Sequence, residues 1–577
     1  MPGSADFIQR AVHALEAGAL AVWIRRAAVV TVLLAIALFY LLHEFRGLAT
    51  SQGMDQAQIG REIASGHGWT TNLIRPRAVG QLKSHGKDVT AQIRYDTYHA
   101  PLPPLVDALA LLPVRAHWKM DSREPIYAGD NAIAIMAMLL FLASVVMLFF
   151  IAQRVFDRRL AFLGCGLVLV CDLFWEYSLS GLPQMLLLLL FNTTIYFIVR
   201  AVQARYEEKR VAVWLAASGA GFGLLALSHA LTIWIFVAAF IFFAFFFRPR
   251  GWPAMIMLLA FAVVYTPWLV RNWAVCGNPA GVAVYAVYDG IKHPEAGHMR
   301  RVAVDLQDVT PGYFRNKITG NLLSQAGRIF QYLGFSFAAA MFFGSLLHGF
   351  KRPETAMLRW ILLAMWAGAV LGMATYGITD EQGVAANQLH ILFIPMMTCF
   401  GLAFLLVQWS RLEIEMPLAR GGFLALLFLL CAMPMIFTMI GPRKASVRWP
   451  PYVPPYIAVL NDWMKPEEII ASDMPWAVAW YANRRSLWLP ENLQTMVEFS
   501  DYNTVGGPVN GLYLTPVSGG QNTLTDIVKG EYKDWAQVIL RSVDLTKFPL
   551  KWATVGLGVE SECVFFSDHD RSRPPGS

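Results

Sequence analysis

Residues 131–153 read NAIAIMAMLLFLASVVMLFFIAQ, from Asn131 to Gln153, without one Asp, Glu, Lys or Arg. As a helix this stretch is about 34 Å long, enough to cross a bilayer core of about 30 Å. Outward from it, further apolar runs lie at 27–43, 160–177, 182–199, 211–228, 231–247, 253–270, 328–348, 359–378, 389–408 and 421–440. Together they predict an α-helical integral membrane protein with about 11 transmembrane helices. Composition agrees: of 577 residues, 56% are hydrophobic and 15% charged, where a soluble protein is nearer a quarter charged. An ordinary soluble globular protein is excluded.

The net charge of +7 and pI near 9.0 raise the class of nucleic-acid binders, and the positions of the charges remove it. With the N-terminus inside, the cytoplasmic segments hold 17 Lys and Arg, from Arg10 to Arg420, against 8 Asp and Glu. The short opposite turns near 179–181, 229–230 and 379–388 contain no Lys or Arg, as the positive-inside rule requires. The basic balance is therefore topogenic. The first run follows Arg25 and Arg26 and lacks a small-residue cleavage site, so it reads as a retained anchor and not a signal peptide. The expectation is a multi-pass protein of the inner cell membrane, N-terminus cytoplasmic and C-terminus outside.

Three large pieces fall outside: 44–130, 271–327 and 441–577. The predicted domains are a transmembrane part, 1–440, and a soluble part, 441–577. The composition changes at Gly441-Pro442, and a proline-rich linker runs from Trp449 to Pro455. Beyond it, Glu468 to Ser472 reads as a strand, Pro475 to Ala482 as a helix and Ser486 to Leu489 as a second strand. A small extracytoplasmic α/β domain results. Six cysteines give no disulfide framework. Cys165, Cys171, Cys399 and Cys431 lie inside apolar runs, so only Cys276 and Cys563 could meet outside the membrane.

Candidate chemistry sits at the outer face. In the first outside loop, Met54-Asp55-Gln56 opens a stretch in which Ile59 and Ile63 stand one turn apart and Gly66 stops the helix. It reads as a short amphipathic helix resting at the membrane surface, begun by Asp55. A carboxylate there caps free amides or serves as a functional acid; the residues alone leave both open. His99 lies in an extended segment ahead of Pro101, and a second surface helix is predicted from Pro103 or Pro104. Asp172 and Glu176 share one helix face near the outer end of the third span, either lining a cavity or closing the helix end. His229, Asp380, Glu381 and His390 lie at the same level, where they could shape an acceptor pocket. No compact metal-ligand spacing is present, so no metal residue is assigned and a divalent ion, although possible, is not favoured. No other cofactor is implied. Gly219-Ala220-Gly221-Phe222-Gly223 lies inside the fifth span and reads as a helix-packing surface. Asp568-His569-Asp570 belongs to a polar tail, and no Walker loop is present.

The order of several motifs resembles a known family. The outside loop opening with Asp55, its glycine stop and the His99-Ala100-Pro101-Leu102 stretch are followed by Pro267-Trp268-Leu269-Val270-Arg271-Asn272 with Gly277-Asn278-Pro279. Then come Gln388-Leu389-His390 and Ser472-Asp473-Met474-Pro475-Trp476 with Arg484, Arg485 and Leu489-Pro490. From 27 to about 490 the chain resembles polytopic glycosyltransferases of the C superfamily, in the branch of protein O-mannosyltransferases and aminoarabinose transferases. The resemblance implies transfer of a sugar from a polyprenyl-phosphate donor to a lipid, glycan or protein acceptor, with Asp55 as the catalytic base. Gln56 and Gln184 stand where many members carry acids, which weakens any metal or second-carboxylate role. One base suffices, because phosphate is already a good leaving group, unlike the alkoxide a glycosidase must protonate. The departing phosphate needs cationic donors, and His99, Arg75, Arg77 and Arg271 are the candidates. For Arg271, an interfacial anchor beside Trp268 and Trp273 is the competing reading. Two other classes compete: a lipid or sugar transporter, and a scaffold whose exported domain recruits partners. A transporter places polar groups near the midplane on repeated halves, whereas here they crowd one face and no repeat is found.

Overall fold

The architecture comes from a computed structural model. It describes residues 19–48, 50–89, 94–121, 124, 126–207, 209–247, 250–291, 297–303, 306, 309–381, 383–414, 416–442, 454–515, 532–539, 548–555 and 563–571. Helix α1 (Ala19–Phe39) continues into a π-helical turn, Tyr40–Glu44, and its stretch Ala27–Glu44 is long and apolar enough to cross a membrane. It belongs to one compact unit, and a second unit begins at Arg46.

In the second unit, α2 (Ser51–Ala64), α3 (Pro76–Ser84) and α4 (Leu102–Leu111) precede the long apolar helix α5 (Ala128–Val155). Then follow α6 (Arg158–Leu169), α7 (Asp172–Leu179), α8 (Gln184–Tyr206), α9 (Ala212–Ala226), α10 (Thr232–Phe246) and α11 (Trp252–Cys276). After a long connection come α12 (Pro311–Gly327), α13 (Ile329–Tyr332), α14 (Phe337–Ser345), α15 (Pro353–Tyr376), α16 (Ile394–Ser410) and α17 (Pro417–Ile440). Among the described residues, six helices are long enough to span, and the pair α6 and α7, bent by 54°, makes a seventh. Helices α9, α10 and α16 are apolar but shorter.

Two predicted spans are broken, and the breaks support each other. Between α6 and α7 the chain leaves the helix at Cys171, and the Trp175 indole N–H donates to the freed Leu169 carbonyl at 2.9 Å. The predicted span 328–348 breaks where Gly334 and Phe335 adopt left-handed φ values of 64° and 53°. Gly334 faces Cys171 so closely that a Cβ would come within 2.6 Å of its sulfur. Irregular backbone survives at membrane depth only when protein covers it, and here each irregular turn covers the other.

Glycine decides the closest helix contacts. A Cβ on Gly219 would lie 2.1 Å from the Met257 carbonyl oxygen, and one on Gly223 would lie 2.7 Å from Val264 Cβ. Helices α9 and α11 therefore meet backbone to backbone, which is the packing role read from the sequence.

The C-terminal region builds a six-stranded sheet in the order β1-β3-β2-β4-β6-β5. Its strands are β1 (Leu73–Ile74), β2 (Ile469–Ser472), β3 (Arg485–Trp488), β4 (Val509–Leu514), β5 (Trp552–Val555) and β6 (Val564–Ser567). Strands β2 and β3 run parallel and are joined through the helical turn Pro475–Ala477 and the π-turn Val478–Ala482. Strand β1 comes from the segment between α2 and α3 and pairs with β3, Leu73 beside Ser486 and Ile74 beside Leu487. The loop that carries Asp55 is thus stitched to the C-terminal sheet. All six cysteines are free, Cys276 and Cys563 among them.

Candidate active site

Helix α2 begins four residues before Asp55. Thr50 is its cap, its hydroxyl accepting from the Gly53 amide at 3.2 Å, so Asp55 is not a capping residue. The reading of a helix begun by Asp55 is corrected: Asp55 falls at the fifth helical position, one turn into α2. Nor does the helix lie exposed. Gly53 to Glu62 are all buried, and at Gly60 a Cβ would come within 2.8 Å of Asp107 Cβ on α4. The polar side chains of α2 are therefore committed to partners. Arg61 donates to the carbonyls of Trp480 and Ala479, each at 2.8 Å, and to Asn483 Oδ1 at 3.0 Å.

Asp55 is 2% exposed and Arg75 is 5% exposed. An Arg75 Nη2 donates to Asp55 Oδ2, which also meets His99 Nε2 at 2.6 Å. The Gln58 amide donates to the other oxygen at 3.2 Å. Burial works to raise the Asp55 pKa, but the Arg75 charge and His99 hold the carboxyl well below the usual carboxylate range. The Arg75 guanidinium lies 4.1 Å from the centre of the Tyr98 ring, whose phenol is pushed up to about 12, chiefly by burial. His99 is fixed from below, its backbone N–H donating to Asp96 at 3.0 Å.

This cluster forms one wall of a cavity of about 170 Å³, completed by Gln52, Glu381, Asn387, Trp476 from the helical turn after β2 and Trp488 at the end of β3. The two indoles meet edge to face with ring centres 5.8 Å apart. A second cavity of about 140 Å³ adjoins it, sharing Gln52, Tyr98, His99 and Asn387 and lined further by Gln56, His229 and Tyr376. Burial lowers the His229 pKa to about 4, so this imidazole is neutral at pH 7.

The predicted residues divide accordingly. Asp55, Arg75, His99 and Glu381 converge on one cavity, and His229 lines its neighbour. Glu381 takes the Ser51 amide at 2.7 Å and the Ser51 hydroxyl at 2.8 Å, tying the loop after α15 to the start of α2. Arg77 turns away, donating to the Val302 carbonyl at 2.7 Å and lying over Tyr285. Arg271 donates to the Asp96 carbonyl at 2.6 Å and lies over Trp268, so it fastens the His99 segment to α11. Asp172 accepts from the Thr438 hydroxyl at 2.7 Å, linking α7 to α17, and Glu176 shares α7 with it. Asp380 is exposed and accepts from the Gly383 amide. His390 is fully buried, stacked on Tyr332 and accepting from the Trp366 indole at 3.1 Å. Distance from the cavity follows from these commitments.

Sequence reasoning missed Tyr98, Trp488 and the partnership of Arg61 with the C-terminal domain. Only the Tyr98-His99 adjacency offered a signal. Of the two glutamines, Gln184 donates to the Ala386 carbonyl at 2.7 Å, and Gln56 faces His99 Nδ1 at 3.5 Å. A divalent ion does not fit at Asp55, where a guanidinium and an imidazole surround the carboxylate. Among the described residues no group of three or more His, Cys, Asp or Glu side chains is arranged so that it could hold a metal ion.

Residues 126–270 match the family of dolichyl-phosphate-mannose-protein mannosyltransferases. The archaeal oligosaccharyltransferase AglB from Archaeoglobus fulgidus, solved with an inhibitory peptide and a dolichol-phosphate, superposes with a TM-score of 0.54 at 11% identity. That match covers 96% of this chain and 76% of the other. ArnT from Cupriavidus metallidurans, solved with undecaprenyl phosphate, gives 0.53 at 12% identity over 95% of this chain and 99% of its own. The chain therefore shares its fold with these two proteins. This polytopic membrane fold is shared over almost the whole length. No curated protein matches the chain by sequence.

Proposed function

We propose that the protein transfers a sugar from a polyprenyl-phosphate donor to an acceptor hydroxyl or amine on the extracytoplasmic side of the cell membrane. The acceptor oxygen or nitrogen attacks the anomeric carbon as its proton passes to Asp55. The bond from that carbon to the phosphate oxygen breaks, and the electron pair leaves with the phosphate. Single displacement inverts the anomeric centre. Arg75 and His99 receive the charge that develops on the leaving phosphate, which is where fixed donors lower a barrier most. The observation that carries this reading is the convergence of one carboxylate, one guanidinium and one imidazole on a cavity that Trp476 and Trp488 close. The C-terminal domain, 441–577, would lie outside the membrane with this cavity, and the N-terminus inside.

The test is Asp55→Asn in purified protein with a polyprenyl-phosphate sugar. Transfer should fall below a few per cent while the protein stays monodisperse. Retention of more activity than that would reject Asp55 as base.

A further inference from the structure

Asp55 and Arg75 are each other's charged partner, and both are almost sealed from solvent. Asp55 Oδ2 also meets His99, and Gln58 occupies Oδ1. A carboxylate so engaged is a poor proton acceptor, because each donor stabilises the ionised form it would have to leave. Yet Arg75 and His99 are also the hydrogen-bond donors beside the cavity. One pair of donors therefore has two anions to serve: Asp55 in the empty site and a phosphate in the loaded one. Arg75 has freedom for the exchange. Its guanidinium rests on the flat face of Tyr98, a contact that tolerates sliding, and among the described residues its Nε has no hydrogen-bond partner.

We infer that Arg75 is a latch on Asp55, which a lipid-linked phosphate opens by drawing the guanidinium to itself, so that the base is released only once donor is bound. This inference rests on the glycosyltransferase reading and adds an order to it: donor first, then acceptor. It also explains how a buried carboxylate avoids activating water in the empty site.

Competition has a sign that support does not. If Asp55 and phosphate compete for Arg75, removing the Asp55 charge leaves a buried guanidinium in want of an anion, and phosphate binding must tighten. If Asp55 merely orients Arg75 for the donor, binding must weaken. The experiment measures the affinity of undecaprenyl phosphate, by fluorescence or calorimetry in detergent, for the full chain and for Asp55→Asn, Arg75→Gln and the double variant. The latch predicts tightening of tenfold or more for Asp55→Asn, weakening of tenfold or more for Arg75→Gln, and no gain when Asp55→Asn is added to Arg75→Gln. Unchanged or weaker binding by a folded Asp55→Asn overturns the latch. If that variant proves unfolded, Asp55→Ser carries the same test. Absence of lipid-phosphate binding by the wild type overturns the glycosyltransferase reading itself, which distinguishes the two failures.

Discussion

Replacing Arg61 by Met tests whether the turn Val478–Ala482 holds α2, the helix that carries Asp55, in place. Met keeps most of the unbranched stem and removes the guanidinium. Two buried backbone carbonyls, of Ala479 and Trp480, would lose the donors now 2.8 Å away, at about 1–3 kcal/mol each for an acceptor left unsatisfied. The contact with the Trp480 ring, 4.8 Å from its centre, adds about 1–2 kcal/mol when desolvated. Release of a buried cation offsets part of this, so about 3 kcal/mol of docking stability should go. At about 1.4 kcal/mol per factor of ten, amide exchange in the Val478–Ala482 turn should accelerate by about a hundredfold, provided opening is local. Hydrogen exchange read by mass spectrometry on peptides covering that turn is the assay. Transfer should fall in parallel, since Arg61 and Asp55 share α2. A change below about threefold would refute the reasoning and make Arg61 a bystander.

Three further outcomes are expected. Asp107 is pushed up to about 8 by burial against an ordinary value of 3.8, so the folded protein keeps a proton that the unfolded chain releases, and stability should decline as pH rises from about 4 to 8. Asp107→Asn should flatten that decline in inactivation rates measured against pH; the opposite shift of Asp55 acts only below about 3.8 and does not overlap it. Gly219→Val should place a methyl-bearing carbon against the Met257 carbonyl, costing about 1–3 kcal/mol or more because backbone yields poorly, and monodisperse yield after solubilisation should drop. Arg271→Ala should lower turnover about tenfold by loosening the Asp96 to His99 segment, with lipid-phosphate affinity changed less than threefold; lost affinity at unchanged turnover would put Arg271 on the phosphate instead.

The sequence by itself determined what local rules can encode. Among the described residues, apolar length located six helices long enough to cross a membrane, and the glycines of α9 marked a close packing face. The β-helix-β pattern of 468–489 was also legible, because strand and helix periods and a proline at a helix start are properties of neighbouring residues. Only the tertiary structure decided the site. Asp55 lies 20 residues before Arg75 and 44 before His99, and the path between them runs through β1, whose pairing partner is more than 400 residues away in β3. No local period specifies that pairing. The same holds for Thr50, which fills the cap that was one of two readings for Asp55, and for Arg77, which lies two residues from Arg75 yet turns to Val302. Charge type told which residues could do the chemistry; the fold chose among them, because an ion pair forms wherever distant segments bring two charges together away from water.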